Sequence, residues 1–98
     1  MSKLRESARG ETCTFQIPGV CNHDPATVVL CHGPHPDKGM AHKGPDSWSA
    51  YGCWPCHEMM DGRRPWIYQD EAYSRVVVWF EAIRETQRRM IAKGLLPK

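Results

Sequence analysis

The chain has 98 residues, 13 lysines and arginines against 11 aspartates and glutamates, a net charge of +2 and five cysteines. That length is one domain with a modest core, since a chain of this size buries only about two-thirds of its unfolded surface. The near-balanced charge neither demands nor excludes a nucleic-acid partner, and no segment is long and apolar enough to span a membrane.

Residues 1–10 are polar and charged, with Lys3, Arg5, Glu6 and Arg9, and do not read as a secretory signal. The expectation is therefore a cytoplasmic protein with reduced thiols. In that setting closely spaced cysteines read as metal ligands before disulfides. From Cys13 to Cys21, Phe15 and Ile17 alternate with polar residues, a short strand or extended knuckle, and Pro18-Gly19 marks a turn. Thr27-Val28-Val29-Leu30-Cys31-His32 is the best strand candidate. A loop from Gly33 to Pro45, rich in glycine, proline and histidine, leads to Ser47–Gly52 as the return strand. A short helix should start near Pro55, which suits a first turn, and end around Gly62. A long helix is predicted over 70–93, with Asp70 as N-cap and Gly94 at its end. Its apolar face would carry Tyr73, Val76, Val77, Phe80, Ile83, Met90 and Ile91. Val78 and Trp79 then fall on the flank, either as a dimer surface or beneath the cysteine loops.

The cysteines are the firmest chemical signal. Cys53-x2-Cys56 lets two thiolates reach one ion without strain, and Cys13-x7-Cys21 is a wider pair closed by the Pro18-Gly19 turn. Four thiolates suit a closed, structural Zn2+ tetrahedron, with Cys31 the spare. Cys53-Trp-Pro-Cys56-His57 also matches a c-type haem attachment pattern and a redox dithiol. The first usually needs export and the second a βαβ setting, whereas this motif follows a predicted hairpin. Trp48, Trp54 and Trp66 would cover the small core around the zinc.

His57 and Asp61 are four residues apart on the short helix, so both project from one face. They can hold one divalent cation or simply hydrogen-bond to each other. His35 and His42 have no ligand spacing and belong to a polar loop. On the last helix Glu81, Arg84, Glu85, Arg88, Arg89 and Lys93 read as a solvated face of intrahelical pairs, while Arg63 and Arg64 lie beside His57 and Asp61 and read as phosphate contacts.

A strand ending in His, a long loop, a second strand, a C-x-x-C-H and a short helix follow the order of a ββα-metal finger. Here the chain resembles the HNH endonuclease superfamily, and more closely the small prophage nucleases of the YbcO type. The resemblance rests on Ala8-Arg9-Gly10, Ile17-Pro18-Gly19-Val20-Cys21-Asn22, Val29-Leu30-Cys31-His32, Lys43-Gly44-Pro45-Asp46 and Cys53–Glu58 with Asp61-Gly62-Arg63-Arg64. It spans nearly the whole chain.

That resemblance implies a small α+β zinc-stabilised domain over residues 1–98, with the knuckle and HNH-like ββα finger at 13–62 and the C-terminal helix beyond. It implies a metal-dependent DNA endonuclease. His32 matches the general base. Asp46 falls where the family's middle Asn usually stands, to orient His32 or bind metal. His57, with Asp61, would hold Mg2+ or another divalent cation, and Cys13, Cys21, Cys53 and Cys56 would hold Zn2+. Many HNH enzymes carry an Asp or His metal ligand just before the base, where this chain has Cys31, a poor ligand for Mg2+. The other reading of the same residues is a zinc module that binds nucleic acid or a protein partner without cutting.

Overall fold

The computed structural model describes residues 3–34 and 45–97. His35, His42 and the Lys43-Gly44 pair lie outside the described residues. The architecture is α+β: a helical turn α1 (Lys3–Glu6), strands β1 (Val28–His32) and β2 (Ser49–Cys53), a short helix α2 (Trp54–Met60) and a long helix α3 (Arg75–Ala92). The strands pair antiparallel, with Val28 opposite Cys53 and His32 opposite Ser49. The β-branched run therefore forms the strand expected of it.

Residues 13–21 form no strand. They make an extended knuckle whose Phe15 and Ile17 are buried. Phe15 meets Trp79 of α3 edge to face at 5.1 Å between ring centroids. Its ring also fills the space above Gly52, where an added Cβ would lie 2.6 Å from Phe15 Cδ2 and 3.0 Å from Cys31 Sγ. Only a residue without a side chain permits that approach.

The outer edge of β2 is closed by side chains. Tyr51 N donates to Thr86 Oγ1 at 3.0 Å, and Tyr51 O accepts from Thr14 N at 2.7 Å and Thr14 Oγ1 at 2.8 Å. An edge satisfied in this way cannot recruit another strand there.

The long helix differs from its prediction at its start and on its buried face. Asp70 caps a separate 3-10 turn, Glu71–Tyr73, and Ser74 caps α3 by accepting from Val77 N at 3.3 Å. The helix ends with Lys93 as C-cap, one residue before Gly94. Its buried residues are Val78, Trp79, Ala82, Ile83, Thr86 and Met90, whereas Val76 and Phe80 are exposed. Val78 and Trp79 are thus core residues. Trp79 packs against the knuckle through Phe15, and its Nε1 donates to Met60 O at 3.1 Å. In the run Val76-Val77-Val78-Trp79-Phe80, helical periodicity cannot choose a face, and the choice falls to partners distant in sequence.

The two chain ends are clamped together. Lys93 Nζ lies 2.6 Å from Glu11 Oε2 and donates to Ser7 O at 2.9 Å. Arg89 Nη1 reaches Glu11 Oε1 at 3.1 Å and Thr12 O at 3.0 Å. Of the pairs expected on the helix itself, Glu85 does bind Arg88 at 3.4 Å and Arg89 at 2.9 Å. Arg89 and Lys93 do more than cover a solvated face. No described helix is long and apolar enough to cross a membrane.

Candidate functional site

Two sites stand out, one of sulfur and one of nitrogen and oxygen. Cys53 is the N-cap of α2 and Cys56 lies in its first turn, so the helix start aims both thiols at the knuckle that carries Cys13 and Cys21. The four Sγ atoms all lie within 4.8 Å of one another, and Cys53 Sγ is 3.7 Å from Cys21 Sγ. Thiolates at tetrahedral corners around an ion with about 2.3 Å metal–sulfur bonds are about 3.8 Å apart. The cluster therefore has the donors and the size to hold a metal ion. Cys13, Cys53 and Cys56 are buried and Cys21 is half-buried, as a closed site requires.

The thiols share protons unequally. A hydrogen bond from Cys56 draws Cys13 down to about 5, below the ordinary thiol value of 9.0. The same bond pushes Cys56 up, and burial pushes Cys21 up to about 11. A metal ion binding here displaces the remaining protons. Cys31 is not part of the cluster. It is fully buried against Phe15 and Gly52, and burial raises its pKa well above 9.0, so its thiol stays protonated. A thiol at this position is a poor ligand for a hard cation such as Mg2+.

The histidines stand in two separate pairs. His32 Nε2 lies 2.7 Å from Asp46 Oδ1, linking the end of β1 to the segment before β2. The ring is 12% exposed and the carboxylate 26%, so the pair sits at the surface without being open to it. His57 Nε2 lies 3.1 Å from Asp61 Oδ2 across one turn at the end of α2. Two neighbouring ligands on an octahedral ion at about 2.1 Å lie about 3.0 Å apart, so this pair can hydrogen-bond or share a cation. Among the described residues the cysteines are the only group of three or more candidate donors drawn within 4.8 Å, so the two histidine pairs do not merge into one such cluster.

Gly62 adopts φ +84° directly after Asp61, ending α2 and turning Arg63 and Arg64 back along it. Arg63 Nη2 is 3.9 Å from Asp61 Oδ2 and Arg64 Nη2 is 3.5 Å from Glu58 Oε2, with both guanidinium groups more than half exposed. Glu58 escaped the sequence reading as a partner, although its (i, i+6) separation from Arg64 becomes a contact only because of the turn at Gly62. Trp54 is exposed and does not cover the core. Trp66 does pack against it, donating to Tyr73 O at 3.0 Å and meeting Tyr68, whose hydroxyl binds Pro18 O in the cysteine knuckle. Trp48 also packs on the core.

Comparison with known proteins adds a family. Residues 2–95 match the family described as Putative nuclease YbcO. A protein named Putative nuclease YbcO from Escherichia coli (strain K12) is 34% identical over 97 residues, 98% of each chain. One of the same name from Enterobacteria phage 82 matches equally. A solved structure described as a putative bacteriophage protein from Escherichia coli str. K-12 substr. MG1655 superposes with a TM-score of 0.71 at 33% identity, covering 94% of this chain and 100% of that one.

Proposed function

The chain belongs to the YbcO nuclease family, and from that premise we propose that it is a metal-dependent DNA endonuclease of the HNH type. The observation that carries the reading is the His32–Asp46 pair at 2.7 Å. Asp46 holds a hydrogen on Nε2 and so leaves Nδ1 as the basic nitrogen, which takes a proton from the attacking water. The order β1, β2, α2 is that of a ββα-metal finger and supports the same assignment.

His57 and Asp61 are the residues that would hold Mg2+ or a similar cation, and their separation fits adjacent ligands. When bound, such an ion supplies charge neutralisation for the phosphate and the leaving oxygen. Arg63 and Arg64 bind the substrate backbone from the neighbouring turn. Cys13, Cys21, Cys53 and Cys56 would hold a structural Zn2+, which would fix the N-terminus of α2 and through that helix the position of His57. Asp46 orients His32, since its Oδ1 lies against the imidazole.

The test is cleavage of plasmid and branched DNA with added Mg2+, Mn2+ or Ni2+, comparing the natural chain with His32→Ala and measuring zinc in both. Metal-dependent cutting that is lost in His32→Ala, with zinc retained, is the expected result. A second reading, a zinc module that binds without cutting, is favoured by Cys31, a poor ligand for Mg2+ beside His32. Absence of cutting with every metal, while zinc and DNA binding persist, would decide for it.

A further inference from the structure

One cationic surface lies outside the residues assigned so far. Arg5 and Arg9 flank an open pocket of about 290 Å³, and its other lining residues are Val28, Val29, Leu30 and His32. We propose that this pocket binds a phosphodiester group of a DNA strand whose neighbouring linkage reaches His32, with Arg5 and Arg9 as the phosphate contacts. The inference rests on the nuclease reading for what happens at His32, but not for the binding itself.

Three observations carry it. The first is placement. Arg5 lies in α1 and Arg9 in the tighter turn that continues it, with Ser7 N bonded to Lys3 O at 3.0 Å, Ala8 N to Arg5 O at 3.2 Å and Arg9 N to Glu6 O at 3.1 Å. Both arginines line the same pocket. Ala8 between them is buried, Ser7 Oγ meets Tyr51 OH at 2.7 Å, and Lys93 Nζ holds Ser7 O at 2.9 Å. A four-residue helix has no stability of its own. This one is held on β1 by contacts from the middle and the far end of the chain, and the result is that two arginines border the strand ending in His32.

The second observation is charge. None of the described lining residues carries a carboxylate. Of the two acids on the same segment, Glu6 is exposed and outside the lining residues, and Glu11 is engaged by Lys93 at 2.6 Å and Arg89 at 3.1 Å. Among the described lining residues the charged groups are thus the two guanidinium groups and no acid. The third is shape. Val29 lines the pocket and is 45% exposed, an apolar wall for a sugar beside the bound phosphate. Guanidinium groups suit phosphate because their planar fork gives paired, charge-assisted hydrogen bonds.

The experiment is equilibrium binding of a short fluorescent DNA duplex to the zinc-loaded protein, without added Mg2+ or Mn2+, over a series of salt concentrations. The chains compared are the natural one, Arg5→Ala/Arg9→Ala, Arg9→Glu alone, and Arg84→Ala/Arg88→Ala on α3. Each phosphate neutralised contributes roughly 0.9 to the slope of log K against log salt. The Arg5/Arg9 variant should lose about one to two units of that slope and at least about tenfold in affinity at low salt. Arg9→Glu should also weaken binding, and the α3 pair should bind as the natural chain does. Unchanged affinity and slope in the Arg5/Arg9 variant, or no DNA binding by the natural chain, overturns the proposal. Binding that depends on Arg5 and Arg9 in a chain that fails to cut with any of the added metals supports the pocket and overturns the nuclease reading. Cutting that persists with Arg5 and Arg9 irrelevant to binding does the reverse.

Discussion

The cysteine cluster and the histidine pairs are built in opposite ways. The first gathers four donors of one kind, three of them fully enclosed, from a knuckle and a helix start. The second sets His32–Asp46 on the hairpin and His57–Asp61 on α2, each pair partly exposed. A closed set of soft donors fixes the fold, whereas pairs with open sides can exchange a partner for water, cation or phosphate. Stability should therefore depend on the sulfur side and turnover on the nitrogen and oxygen side.

The largest effect should come from the sulfur side. Cys53→Ser removes a ligand of the proposed zinc site while leaving a side chain well suited to cap α2, and a structural zinc site contributes on the order of 10 kcal/mol in small domains that fold around it. The variant should lose bound zinc and its cooperative thermal transition, as read by metal analysis and circular dichroism. A zinc-free variant that still melts cooperatively near the natural midpoint would remove the structural role. On the other side, Asp61→Asn should leave the transition in place. It should reduce DNA cutting by roughly 10–100-fold, the usual loss when a metal site's carboxylate partner is altered. Raising the divalent cation should recover part of that loss. A deficit indifferent to metal concentration would take Asp61 out of the cation site.

What could be read in advance follows the same division. The cysteine cluster was visible because two short spacings, Cys13-x7-Cys21 and Cys53-x2-Cys56, each close locally. His57–Asp61 was visible because one helical turn makes it. The strand run ending at His32 and the helix at Pro55 announced themselves through β-branching and first-turn proline. The buried face of α3 did not, because Val76 through Phe80 are all apolar and the residues that decide the face are small or polar: Ala82 and Thr86 let β2 approach. Nor did the clamp between Lys93 and Ser7, 86 residues apart, because no local pattern encodes a pairing at that distance. The N-terminal charges consequently read as a loose polar start, when they are held against the strand that carries His32.

A smaller effect tests the joint between the two regions. Gly52→Ala would press a methyl group onto the Phe15 ring and the Cys31 thiol. Overpacking of that kind costs about 1–3 kcal/mol. Urea unfolding of the zinc-loaded protein should register it without loss of the metal, and tolerance within about 0.5 kcal/mol would mean that Phe15 yields easily.

The smallest effect concerns the clamp, and pH gives it a sign. Lys93, through its hydrogen bond, and then the charges of Lys93 and Arg89 hold the Glu11 carboxyl below its ordinary value of 4.5, against a desolvation that works the other way. A carboxylate with a depressed folded pKa contributes stability that is fully present above its unfolded value and disappears as pH falls through the folded one. Glu11→Gln should therefore cost about 0.2–1 kcal/mol at pH 7, the range of partly exposed ion pairs. The gap between the two chains should begin to narrow as pH drops toward 4.5 and continue to close below it. Unfolding both chains side by side, from pH 7 to the lowest pH at which each still unfolds cooperatively, cancels the effect of acid on the shared cysteine cluster. A gap that stays constant with pH would make Glu11 a packing residue. A gap that closes as described would make it a charge whose partners hold the N-terminal arginines beside His32, and DNA binding by Glu11→Gln should then weaken more than its small loss of stability alone would explain.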